Sequence, residues 1–240
     1  MAYEYMAVDL PGKILYDKDF EVSIRKITPI EQKYITSLGQ KQQKSINDYI
    51  DFIRKLITFN KEDVKFEDLF WFDVKYLLYR IRFSTYTKYP IKLQFECTDC
   101  NEEIIVPLDM GNLIINTPDD NPNHTTSIAL ETLGETKIRT KTIGDDLAVE
   151  EFCKARNITD DDMRILLFDL CLVANGKSLE EMYKLAEEGV ITAEDILNIE
   201  KWFDDNSFGV KEETIVKCPK CGKEESRTYI LRLDSFFSAF

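Results

Sequence analysis

Ile91-Lys92-Leu93-Gln94-Phe95-Glu96-Cys97-Thr98-Asp99-Cys100-Asn101-Glu102-Glu103-Ile104-Ile105-Val106-Pro107 is a near-alternating, β-branched and aromatic run, interrupted in the middle by Cys-x-x-Cys. It reads as a β-hairpin with a cysteine knuckle at its tip. The pattern returns late in the chain. Glu213 to Lys217 lead into Cys218-Pro219-Lys220-Cys221, and Arg227 to Leu233 lead away from it. Asn101 and Gly222 follow the two pairs, and Asn and Gly take the left-handed conformation of a knuckle turn most easily. Four thiolates from two such knuckles can enclose a tetrahedral Zn²⁺, with Zn–S of about 2.3 Å. A shell of four cysteines leaves no place for water, so the zinc expected on Cys97, Cys100, Cys218 and Cys221 is structural, one per chain. The other readings of the same residues are two disulfides or idle thiols. A compact zinc ribbon has roughly 15–20 residues between its pairs. More than a hundred separate them here, so a single ribbon requires a folded insertion between its halves.

The segments around this split ribbon are helical or mixed, which sets the fold class as α+β. Phe20 to Arg25 reads as a strand. Thr28-Pro29-Ile30-Glu31 is a complete helix start, and that helix should stop near Gly39. Further helices are predicted over Ile46–Thr58 and Leu69–Ser84, the latter apolar over most of its circumference and therefore central. Beyond the first knuckle, 116–123 is a loop on composition, and Thr125–Glu131 with Glu135–Thr142 makes a hairpin around Leu133-Gly134. Helices follow at about 146–156, 160–175, 179–188 and 193–205. Thr159/Asp162, Ser178/Glu181 and Thr192/Asp195 read as capping boxes, and Gly176 and Gly189 as helix ends. The expected organisation is an N-terminal strand and helical region over 1–90, and a zinc ribbon split between 91–110 and 210–234. A hairpin plus acidic helical insertion would fill 111–209, with an aromatic tail over 235–240.

Composition narrows the function. The net charge of −13 argues against nucleic acid as the main partner, because phosphate binding depends on Lys and Arg. Residues 144–206 hold 17 Asp and Glu against 6 Lys and Arg, either a solvated face or a surface for a basic partner. No run reaches the roughly 18–20 apolar residues of a membrane-spanning helix. The first residues carry neither a basic region nor an apolar core, so the expectation is a protein made and kept in a reducing cytoplasm. Cys153 and Cys171 lie on apolar helix faces and read as core fillers. His124, the single histidine, reads as an exposed loop residue with no nucleophile motif around it. There is no Gly-rich phosphate loop. Phe236, Phe237 and Phe240 crowd the last five residues. They either fold back onto the core or dock on a partner, and they are the candidate partner-binding residues.

The order of features in the first half resembles a known family. Leu10-Pro11-Gly12-Lys13 leads to Tyr16, then to Val22–Arg25 and the capped Thr28–Lys33 helix. Asp73-Val74-Lys75-Tyr76-Leu77-Leu78-Tyr79-Arg80-Ile81-Arg82 follows, then Cys97-x-x-Cys100 in a strand pair. This is similar to the baseplate hub assembly proteins of T-even-type contractile-tailed bacteriophages, over about residues 8–110 plus the second knuckle. The resemblance implies a structural or assembly protein of the tail baseplate, without enzymatic activity. Its partners would be other tail and baseplate proteins. Its place would be the virion tail, or the host cytoplasm during assembly. The rival expectations are a nucleic-acid-binding zinc-ribbon regulator, for which Lys217, Lys220, Lys223 and Arg227 are the relevant cations, and an enzyme with a structural zinc.

Overall fold

Helix and sheet are mixed along the whole chain, as an α+β fold requires, in a computed structural model that describes residues 3–40, 46–118, 125–173, 176–230 and 237. At the N-terminus, Met6–Val8 (β1), Val22–Ile24 (β2) and Ile57–Phe59 (β3) form an antiparallel sheet in that order. Between β2 and β3 run Pro29–Gln40 (α1) and Ile46–Arg54 (α2). The cap of α1 forms as predicted: the Glu31 carboxylate accepts from the Thr28 N–H at 2.9 Å, and Thr28 Oγ1 accepts from the Glu31 N–H at 3.3 Å. Glu31 also takes two hydrogen bonds from the buried Arg25 guanidinium, at 2.8 and 2.5 Å, which ties β2 to α1 and holds the carboxyl down at about 2.

The helix expected over Ile46–Thr58 is shorter than its apolar pattern suggests. It ends at Arg54, and Ile57-Thr58-Phe59 adds to the open edge of β2. Ile57 satisfies both a helical and a strand period, and the free hydrogen-bonding edge decides between them.

Trp71–Thr85 (α3) is the centre of the molecule. Ten of its residues are buried, from Phe72 to Phe83, and seven of them, Val74, Tyr76, Leu77, Leu78, Tyr79, Ile81 and Phe83, form the core with Ile24, Leu56, Leu69 and Leu108. The turn at Leu10–Lys13 docks on its first turn. The Gly12 N–H donates to Asp73 Oδ1 at 2.9 Å, and the Tyr16 hydroxyl donates to Asp73 Oδ2 at 2.8 Å while accepting from the Phe70 N–H at 3.0 Å. Asp73 is fully buried, and burial pushes its carboxyl up to about 7 against these two donors. A Cβ on Gly12 would lie 2.4 Å from Asp73 Oδ2 and 2.7 Å from the Phe208 ring. Gly12→Ala is therefore expected to destabilise the protein by about 3 kcal/mol, combining overpacking with a disrupted buried hydrogen bond. Gly111→Ala, where only the Asp109 side chain approaches, at 3.2 Å, serves as the control. Equal denaturant midpoints for the two variants would refute the docking role of the turn.

The two knuckle hairpins are Ile91–Glu96 (β4) with Glu103–Leu108 (β5), and Glu213–Lys217 (β10) with Glu224–Thr228 (β11). A short ladder bridges them. Ile114–Asn116 (β6), leaving the first, pairs antiparallel with Gly209–Lys211 (β9), entering the second. Neither strand is legible in the sequence, because three-residue segments carry too little period. The pairing closes the base of the intervening segment. Gly209, at φ +81°, lies against the backbone of Phe72, where a Cβ would be 3.0 Å from its carbonyl oxygen.

Within that segment Thr125–Leu130 (β7) and Gly134–Arg139 (β8) form the expected hairpin. Ile143–Arg156 (α4), Asp161–Leu172 (α5), Leu179–Glu187 (α6) and Ala193–Asp205 (α7) follow. The boxes Ser178/Glu181 and Thr192/Asp195 are present, and Thr142/Asp145 adds another that was not predicted. The predicted Thr159/Asp162 box is corrected: Asp160 caps α5, its carboxylate accepting from the Met163 N–H at 3.0 Å. Asp and Thr are both good caps, and Asp160 is the residue directly before the first helical turn. Asp195 also accepts from the Glu131 N–H and the Thr132 hydroxyl, which pins α7 to the hairpin turn. Cys153 and Cys171 are buried between α4 and α5 among Val149 and Leu167, as core fillers. The segment is seamed to the N-terminal half, with the Ile143 N–H donating to the Leu69 carbonyl at 2.9 Å and the Trp71 N–H to the Lys141 carbonyl at 3.0 Å.

Candidate metal centre

The two knuckles have the same construction. Glu96 faces Glu103 at the end of one ladder and Lys217 faces Glu224 at the end of the other, so each hairpin is closed by six residues, 97–102 and 218–223. In each loop the first cysteine's N–H donates to the carbonyl of the last residue, at 2.9 Å for Cys97 and 2.8 Å for Cys218. In each, the residue after the second cysteine donates to the first cysteine's carbonyl at 3.0 Å, and it does so at positive φ: Asn101 at 56° and Gly222 at 75°. These turns place both sulfurs of a pair on one side of the loop.

The pairs meet across 118 positions of sequence. Cys97 Sγ lies 3.6 Å from Cys221 Sγ, Cys100 Sγ lies 3.6 Å from Cys218 Sγ, and all four sulfurs fall within 4.8 Å of one another. The edge of a tetrahedron with metal–sulfur bonds near 2.3 Å is about 3.8 Å, so these separations suit four thiolates around one ion. They are far too long for a disulfide, whose S–S bond is about 2.05 Å. The donor set and spacing fit a tetrahedral sulfur centre.

Electrostatics points the same way. The Cys221 N–H aims at the Cys218 sulfur and holds that thiol down, at about 6. The Glu102 N–H favours the thiolate of Cys100, but burial and the three neighbouring thiols prevail and push it up to about 12. Four sulfurs this close cannot all carry charge unaided; a bound cation would allow the remaining thiols to ionise. Cys97 and Cys218 are buried with Ile104 and Val216, whereas Cys221 faces solvent.

Polar contacts stitch one loop to the other. Lys223 reaches Asp99 at 2.5 Å, Lys220 reaches Glu102 at 3.3 Å, and the Thr98 hydroxyl donates to Glu225 at 2.9 Å. Arg227 pairs with Glu225 and donates to the Glu96 carbonyl at 2.8 Å, and Lys217 pairs with Glu224. Exposed pairs of this kind contribute little individually. Their consequence is that each cation on the second knuckle already faces a carboxylate. Among the described residues the two hairpins share no ladder, so they meet through the cysteines, side chains and the β6–β9 stem and do not form a continuous sheet.

One family model matches the chain, that of the T4 bacteriophage base plate protein, over residues 8–238. The chain belongs to this family. The base plate match extends through the acidic helices, which the resemblance in the first half did not reach. Comparison with curated proteins and with solved structures gives no match. Among the described residues of this base plate protein, no helix is long and apolar enough to cross a membrane.

Of the two readings of the aromatic tail, Phe237 takes the one in which it folds back onto the core. Phe237 is 1% exposed, its ring centroid 5.9 Å from that of Phe52, and its carbonyl accepts from Gln32 Nε2 at 2.9 Å. It packs in the core, where α1 and α2 leave an apolar seat that a nearby aromatic fills. Phe236, Phe240 and His124 lie outside the described residues. Two residues of consequence were missed. Asp73, within the stretch that carries the family resemblance, anchors the Gly12 turn. Asp169 stands among Leu166, Leu167, Phe168, Leu170 and Leu172, a lone carboxylate in an apolar run that a reading for charge would have caught.

Proposed function

We propose that this chain is a structural or assembly part of the baseplate hub of a contractile phage tail, without catalytic activity, and that Cys97, Cys100, Cys218 and Cys221 hold one structural Zn²⁺. The family match over nearly the whole chain carries the reading. The four-sulfur cluster supports the metal, and a thiolate-only tetrahedral shell favours zinc among the soft-site ions. The split ribbon, 91–110 with 210–234, then acts as a clamp. Metal binding at such a site is folding energy, and it would fix the stem from which the 111–209 segment projects toward other tail proteins.

The pairing of Lys217, Lys220, Lys223 and Arg227 with carboxylates and backbone favours protein docking over a nucleic-acid-binding ribbon. Elemental analysis of freshly purified protein is expected to give close to one zinc per chain, and less than half an equivalent refutes the metal assignment. Mass spectrometry of purified particles tests the location. The chain is expected among the baseplate proteins, and its absence from both particles and tail-assembly intermediates would overturn the hub reading.

A further inference from the structure

A cleft of about 360 Å³ opens between α5 and α7, at the small end of the roughly 300–1,000 Å³ of ligand-binding clefts. Its apolar lining is Ile165, Phe168 and Leu172 from α5 and Phe203 from α7, and its acids are Asp169, Glu200 and Asp204. Asp169 is the unusual member. It is 8% exposed, and one of its carboxylate oxygens, Oδ2, has no hydrogen-bond partner among the described residues. A buried carboxylate oxygen left unpaired is costly. Burial and the charge of Glu200 push this carboxyl up to about 7.

Among the described residues, Lys141 is the one cation in the lining, and it is already committed. Its ammonium donates to Asp146 Oδ1 at 3.0 Å and lies 4.3 and 4.8 Å from the ring centroids of Phe168 and Trp71. Among the described residues, three acids therefore face the cleft with no free cation to offset them.

We propose that this cleft receives a lysine or arginine side chain of a partner tail protein, whose cationic head reaches Asp169 while its aliphatic stem lies between Phe168 and Phe203. The inference rests on the docking role proposed above and gives it a location. The chemistry selects this occupant. A purely apolar group would leave Asp169 unpaired, and an anion would meet three carboxylates. A divalent metal is disfavoured because, among the described residues, these acids do not converge as ligands, and the Lys141 ammonium shares the wall. A long basic side chain satisfies both the apolar wall and the acid beneath it, with aromatic faces adding cation–π attraction. Ile165, 52% exposed, and Leu197, 63% exposed and one turn before Glu200, supply an apolar rim for the residues flanking that side chain.

The test uses the full chain with two probes, Nα-acetyl-lysine methylamide and its Nε-acetylated, uncharged analogue, and reads the methyl resonances of Ile165 and Leu172 by NMR. A saturable shift with the charged probe, weakened at least about tenfold (1.4 kcal/mol) by Nε-acetylation and by Asp169→Asn, is expected. No saturable shift, or equal shifts with both probes, overturns the proposal. Asn is nearly isosteric with the Asp169 carboxyl, so this variant should fold. Should it not, Glu200→Gln with Asp204→Asn, both on the exposed rim, must weaken the charged probe and leave the uncharged one unchanged. A positive titration in a protein absent from tails would remove the baseplate role and keep the cation site. A negative titration in a protein found in tails would do the reverse.

Discussion

Cys218→Ser is expected to lower the melting temperature of the zinc-loaded protein by about 10 °C or more, several times the effect of Cys171→Ser. Both are buried cysteines exchanged for the same residue, so the comparison isolates ligation. Loss of one thiolate from a closed site forfeits much of a metal-binding energy of order 10 kcal/mol in such centres. Even a fraction of that moves the midpoint far, because each kcal/mol shifts a chain of this size by about 2–4 °C. Cys171, packed beside Leu167 and Cys153, forfeits only a packing contribution of about 1 kcal/mol. A strong chelator should bring the wild type close to the Cys218→Ser midpoint and leave that variant nearly unchanged. Equal midpoints for the two serine variants, or indifference of the wild type to chelation, would remove the metal from the account of stability.

Phe237→Ala should destabilise the isolated protein by about 3–5 kcal/mol, the usual cost of truncating a buried phenylalanine. The ring is almost wholly enclosed and packs edge-on against Phe52. Ile230, 86% exposed, is the control, and Ile230→Ala should stay within about 0.5 kcal/mol of wild type. Denaturant unfolding with tryptophan fluorescence reads both. An unchanged Phe237→Ala midpoint, combined with impaired tail assembly, would return the residue to the role of a docking anchor.

The contrast between Phe237 and the cysteines shows what a sequence reading can reach. Cys-x-x-Cys with Asn or Gly in the next position specifies its own turn, and the left-handed residues appear where the motif requires them, at Asn101 and Gly222. The capping boxes Ser178/Glu181 and Thr192/Asp195 are equally local, since each is complete within four residues. Phe237 carries no such instruction. Whether a terminal aromatic is core or contact depends on whether α1 and α2 leave it a seat, and neither helix has a sequence pattern that says so. Ile57-Thr58-Phe59 failed for a related reason: its apolar residues suit a helix and a strand alike, and the empty edge of β2 settled the matter. Gly12 and Asp73 were both in view in the segments that carried the family resemblance, yet their contact spans 61 positions and no periodicity links them.

Sequence by itself determined the knuckles, most of the main helices, the caps at Thr28/Glu31, Ser178/Glu181 and Thr192/Asp195, the acid excess of 144–206 and the family. Each of these is local or compositional, so a few neighbouring residues suffice to specify it. Only the tertiary structure decided that the two cysteine pairs converge, because the three-residue strands β6 and β9, too short to announce themselves, bring the ends of a long insertion together. It alone decided that the Gly12 turn rests on a buried carboxylate, and that Asp169 lies at a cleft with an oxygen unpaired among the described residues. Contacts of that kind join residues far apart in the chain, and burial, which sets the cost of leaving a polar atom unpaired, exists only once the chain has folded.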